Sequence, residues 1–104
     1  MILSTTDFIA GREIIEVLDI ARGSTVRARS IGRDIFAGLK NIIGGEISEY
    51  TKLMADAREQ AIDRMIADAD VLGADAIVNV RFITAGVMAG ASEIVAYGTA
   101  VKLR

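Results

Sequence analysis

The sequence predicts an α+β domain, a small curved and mostly antiparallel sheet packed by one long helix and one short helix. Three observations carry this. Residues 49–72 hold an apolar stripe at helical spacing, the stretches 13–30 and 75–103 alternate as strands do, and glycines mark the boundaries between them. With 104 residues, of which 52% are hydrophobic and 25% charged, the chain can bury one modest core. A single domain over 1–104 is therefore expected.

Residues 1–5 read as a short terminal strand and 7–12 as a turn, where Gly11 supplies the backbone freedom. The next strand, 13–21, sets Ile15 and Val17 on one side and Ile14, Leu18 and Ile20 on the other. Gly23-Ser24 predicts a turn, after which 25–30 continues with Val26 and Ala28 alternating against Arg27 and Arg29. Ser30 can cap a short helix over 31–42, in which Ile31, Ile35 and Leu39 fall four apart. That segment ends at the glycine pair 44–45.

The long helix is expected over 49–72, with Ser48 as its N-cap and Gly73 as its C′ residue. Tyr50, Met54, Ala57, Ala61, Met65 and Ala69 form its stripe, widened by Leu53, Ile62, Ile66 and Leu72. Arg64 can pair with Asp68 one turn on. Such a helix is about 36 Å long, close to the full width of a compact domain of this size. One small sheet does not easily cover its stripe, so a second copy of the chain is expected to help. Ala57, Ala61 and Met65 are the interface candidates on the helix, and Tyr97 and Gly98 those on the last strand.

Residues 75–83 predict a strand with Ala76, Val78, Val80 and Phe82 facing one way and Ile77, Asn79, Arg81 and Ile83 the other. A connection over 84–91 leads to a final strand over 92–103. There Val95, Tyr97, Thr99, Val101 and Leu103 alternate with Ile94, Ala96, Gly98, Ala100 and Lys102. Gly98 inside this strand implies a bend, a bulge or a close neighbour.

The chain has no cysteine and no histidine, which removes disulfides, thiolate nucleophiles, imidazole bases and soft-metal cages. A metal would need oxygen ligands and would be a hard divalent cation. Asp34, Glu46 and Glu49 flank the short helix and the glycine turn and are the metal candidates. Arg27, Arg29 and Arg33 are the candidates for a small anionic ligand, held by forked hydrogen bonds. Solvent exposure or pairing between subunits explains the same residues equally simply. Neither a phosphate-binding loop nor a dinucleotide fingerprint is present, and no cofactor is implied. The formal charge of −2 and the lack of an aromatic platform argue against nucleic acid. The longest uncharged run, 82–92, is too short to span a membrane. A cytoplasmic protein is expected, with catalysis the minority reading.

Several separated blocks resemble the YbjQ-like family, also described as UPF0145 or DUF74. They include Ser4-Thr5-Thr6, Gly11-Arg12-Glu13-Ile14-Ile15-Glu16, Arg33-Asp34-Ile35-Phe36-Ala37 and Asn41-Ile42-Ile43-Gly44-Gly45. Tyr50, Ala57-Arg58-Glu59, Leu72-Gly73-Ala74-Asp75-Ala76 and Gly98-Thr99-Ala100-Val101 continue the resemblance across nearly the whole chain. It implies a subunit similar to that of dodecin, assembled as a homo-oligomeric ring with a pentamer favoured, and no established catalytic residues. The family is labelled a heavy-metal-binding domain. It commonly carries Asp-x-Asp-Tyr-Glu in the strand after the long helix, where this chain has Arg81-Phe82-Ile83-Thr84-Ala85. The leading expectation is a non-catalytic, ring-forming protein, and the alternative is a module that binds a divalent metal or a small anionic ligand.

Overall fold

A computed structural model describes residues 1–27, 48–88 and 91–104, and the side chains of these apart from 27, 48–51, 87, 88 and 91. In chain order the elements are β1 (Ile2–Leu3), β2 (Ile14–Arg27), α1 (Ser48–Val71), β3 (Ala76–Met88) and β4 (Ala91–Leu103). The strands make one four-stranded sheet in the order β1-β3-β4-β2. β1 runs parallel to β3, and the other two pairings are antiparallel. The sheet is thus mixed, with antiparallel pairing dominant, and the α+β class expected from the sequence holds. The short helix expected over 31–42 lies outside the described residues.

The long helix forms as its spacing predicts. Ala57, Ala61, Met65 and Ala69 have no exposed surface, and Met54, Ile62, Ile66 and Leu72 pack around them. Its end follows from Gly73, whose φ of 76° is open to a residue without a Cβ. Gly73 donates to the Asp70 carbonyl at 3.0 Å and Ala74 to that of Ala69 at 3.1 Å, the paired bonds of a Schellman ending.

Two expectations about the strands are corrected. β2 runs unbroken through Gly23-Ser24, where a turn was expected, and pairs with β4 from Ile20 to Arg27 without a register shift. Gly23 is needed for approach instead: a Cβ there would overlap the backbone of Ala61 and Met65. The helix rests on the strand at this point with nothing between the two main chains. β3 likewise continues past residue 83 to Met88, absorbing much of the expected connection.

The face assignment in β3 also changes. Asn79 has φ of 54°, and the β3–β4 register shifts between Val78 and Arg81. This bulge reverses the alternation, so Ile77 and Val80 both reach the core under the helix. Ala76 and Val78 fall on the opposite face, with Val101 and Leu103, under Ile9 and Ile14. Asparagine tolerates the left-handed conformation that the bulge requires.

The expected ion pair between Arg64 and Asp68 is replaced by two bonds to the free edge of β2. Asp68 Oδ2 accepts from the Arg22 amide at 3.0 Å, and Arg64 Nη1 donates to the Ser24 carbonyl at 2.5 Å. Strand-edge groups under a helix lose water and must find partners, whereas an exposed pair one turn apart contributes only ~0.3–0.5 kcal/mol. Among the described residues the one ion pair joins Arg104 Nη1 to Glu13 Oε2 at 3.1 Å, both side chains being exposed.

Candidate functional site

The helix lies chiefly over β2 and next over β4, with little of it over β3. The N-terminal segment covers the other face only at the end holding Ala76, Val78, Val101 and Leu103. Beyond these two covers, no other described residue covers the far end of the sheet. Every residue of β3 from 81 to 86 is exposed, with Phe82 at 45% and Ile83 at 54%.

Cross-strand register fixes what that bare end presents. Arg22 in β2 and Arg81 in β3 are both partners of Tyr97 in β4, so the three side chains form a row on the face away from the helix. At about 4.8 Å between strands, the two arginine Cα atoms stand roughly 10 Å apart with the tyrosine between them. Exposed Ile20, Val26 and Ile83, with half-buried Val95, share this face. Arg81 Nη1 donates to the carbonyls of Thr5 and Val80 at 2.9 Å each, tying the N-terminal segment to β3. A tyrosine flanked on its two neighbouring strands by arginines, beside exposed apolar residues, can hold an anion or a protein surface.

The residues singled out from the sequence fare unevenly. Arg29, Arg33, Asp34 and Glu46 lie outside the described residues, as do the side chains of Arg27 and Glu49. The backbone of Arg27 pairs with Ser92 at the last rung of β2. Tyr97 does stand on the bare face. Ala57, Ala61 and Met65 have no exposed surface within the single chain. Gly98 is enclosed as well, and a Cβ there would press on Ile77 Cγ2 and the Val78 carbonyl. Along Ala57, Ala61, Met65 and Ala69 the helix stripe is covered by its own chain, while Met54, Ile62, Ile66 and Leu72 beside it are half-buried. A charge placed at Ala61 would break the fold whether or not the protein assembles. Arg22 and Arg81 were missed, since their meeting depends on the β4 register and on the Asn79 bulge.

Heavy-metal chemistry finds poor support in these residues. The chain lacks cysteine and histidine, which leaves four methionine thioethers as soft donors. Met65 is sealed in the core, and Met54 packs beside it. Among the described residues, no three carboxylates come together in a way that could hold an ion. None of the described helices is long and apolar enough to cross a membrane.

Comparison with known proteins agrees with this architecture. A family model described as "Putative heavy-metal-binding" matches residues 1–104. A UPF0145 protein of Methanosarcina acetivorans is 59% identical over 103 residues, covering 99% of this chain and 97% of that one. One from Archaeoglobus fulgidus is 58% identical over 104 residues, covering 100% and 96%. A DUF74-family protein of unknown function from Pediococcus pentosaceus has a crystal structure that matches with a TM-score of 0.66 at 17% identity. The match covers 100% of this chain and 98% of that one, and it supports the fold alone. With its whole length matched by the family model and by such close relatives, the chain belongs to the YbjQ-like, UPF0145 family.

Proposed function

We propose that the protein is a non-catalytic subunit of a homo-oligomeric ring, dodecin-like in construction and with five copies favoured. The observation that carries this reading is the bare end of the sheet. Exposed Ile20, Val26 and Ile83 lie on a face whose other end is a buried cluster of Ala76, Val78, Val101 and Leu103. The radius of gyration is 16.9 Å, against about 13 Å for a compact chain of this length. An elongated subunit whose described residues expose apolar side chains at one end of the sheet is what assembly would complete. The centre of the helix stripe does not supply the motive, because Ala57, Ala61, Met65 and Ala69 are buried within the chain.

Native mass spectrometry of metal-free protein tests this directly. A single species at a fixed multiple of 11.1 kDa is expected. A monomer at micromolar concentration would end the proposal.

The row of Arg22, Tyr97 and Arg81 favours a second reading, a small anionic ligand held on the sheet, which adds to the arginines at 27, 29 and 33. Calorimetric titration with inorganic phosphate is its test. Saturable heat that disappears in Arg22→Ala would support it, and no heat would remove it. A divalent cation at Asp34, Glu46 and Glu49 rests on sequence position alone, and titration with magnesium or calcium decides it.

A further inference from the structure

We propose that Asp19, Arg64 and Asp68 together guard the outer edge of β2, closing residues 20–24 to a strand of a second copy of this chain. The inference goes beyond the ring reading and does not depend on it, because it concerns an edge whose groups already have partners. Among the described residues β2 lies at one edge of the sheet, with β4 on its other side. Over 14 residues it carries Ile15, Val17, Ile20 and Val26, each more than half exposed. A long, apolar and β-branched edge strand is a template for pairing with another chain. The same strand of a second copy matches it in chemistry.

Strand alternation sends the amides and carbonyls of Ile20, Arg22 and Ser24 away from β4. Three of these groups are met by side chains. Asp19 Oδ1 accepts from the Ile20 amide at 2.7 Å, Asp68 Oδ2 accepts from the Arg22 amide at 3.0 Å, and Arg64 Nη1 donates to the Ser24 carbonyl at 2.5 Å. Before residue 20 the strand is interrupted differently, by register shifts between Ile14 and Glu16 and between Val17 and Asp19. From Ile14 to Ser24 a regular ladder therefore finds no clear run.

Gly23 sets the distance that makes the guard work. Without a Cβ it admits the backbone of Ala61, Arg64 and Met65, which brings α1 down on the strand between Arg22 and Ser24. The four-residue step from Arg64 to Asp68 advances about 6 Å along the helix, and the two-residue step from Arg22 to Ser24 about 6.7 Å along the strand. Helix and strand run in opposite directions here, with Asp68 at Arg22 and Arg64 at Ser24, so one helical flank reaches both groups. An incoming strand would have to place carbonyl oxygens at the Ile20 and Arg22 amides, where carboxylate oxygens already sit. It would also have to bring an amide to the Ser24 carbonyl, where a guanidinium sits. Each position is occupied, and each occupant repels the group that would replace it.

Mass and hydrogen exchange test the guard against wild type at matched concentration, whatever assembly wild type forms. The triple variant Asp19→Ala, Arg64→Ala, Asp68→Ala is expected to give species heavier than wild type, with a share that rises with concentration. Its Ile20 and Arg22 amides should exchange at least ~10-fold faster than in wild type when dilute, and slow again in the heavier species. Asp19→Asn combined with Asp68→Asn keeps an oxygen at both amides and should keep the wild-type mass. If the triple variant fails to fold, Asp19→Ala alone leaves both helix contacts in place and should show a smaller shift of the same kind at Ile20. Met65→Ala loosens the core without touching the edge, and should keep the wild-type mass. A folded alanine variant that loses protection at these amides and yet keeps the wild-type mass overturns the guard. Unchanged exchange overturns it too, since the side chains would then not be holding the amides. Equal association of Met65→Ala would assign the effect to lost stability and overturn it as well.

Discussion

At Gly23 a single hydrogen atom in place of a methyl group lets a helix and a strand touch through their main chains. Gly23→Ala is expected to destabilise the protein by about 3 kcal/mol or more, because the obstacle is backbone and cannot swing aside. A denaturant titration would show the midpoint shift, and an unchanged midpoint would mean that the helix sits further from β2 than described. Asn79 is constrained by conformation rather than by space. Its φ of 54° suits glycine and is hostile to β-branched side chains. Asn79→Gly should stay within about 0.5 kcal/mol of the parent, whereas Asn79→Val should lose ~1–2 kcal/mol. Equal effects of the two would show that the side chain, not the bulge, matters at this site.

Among the elements, α1 has two tasks. Its alanine and methionine stripe fills the core, and its polar flank closes the edge of β2 through Arg64 and Asp68. Asp68→Ala should lose about 1 kcal/mol by leaving the Arg22 amide without its acceptor. Asp68→Asn, which keeps a side-chain oxygen, should recover part of that loss; equal loss in the two would assign the effect to charge. Met65→Ala removes a fully buried side chain at the centre of the stripe and is expected to cost ~2–4 kcal/mol. If thermal unfolding of Met65→Ala matches the parent, the core is more plastic than its complete burial implies. The strands divide in a similar way, since β3 is structural up to Val80 and exposed from Arg81 to Gly86.

For the whole molecule, the two ends of the sheet differ. Ile9, Ile14 and the N-terminal segment cover one face of the first half, whereas among the described residues nothing covers Arg22, Tyr97 and Arg81 at the second. If assembly rather than metal completes that end, dialysis against a chelator should leave both the native mass and the unfolding temperature unchanged. A fall in either would reveal a bound cation that stabilises the folded state, and would move attention to Asp34, Glu46 and Glu49.

The sequence by itself determined the class of fold, the position and apolar face of the long helix, its stop at Gly73 and the alternation of the last strand. All of these depend on residues close together in the chain, where spacing and backbone freedom act locally. The absence of cysteine and histidine likewise removed thiolate and imidazole groups before any geometry was known. Only the tertiary structure decided that Gly23 is a point of contact and not a turn, because what a glycine permits depends on what comes near it. It also decided that Ala57, Ala61, Met65 and Ala69 are buried within one chain, since burial is a property of the partner as much as of the stripe. The arginine–tyrosine row follows from cross-strand register and one bulge at Asn79. Register is set between segments far apart in sequence, and no pattern within a single segment records it.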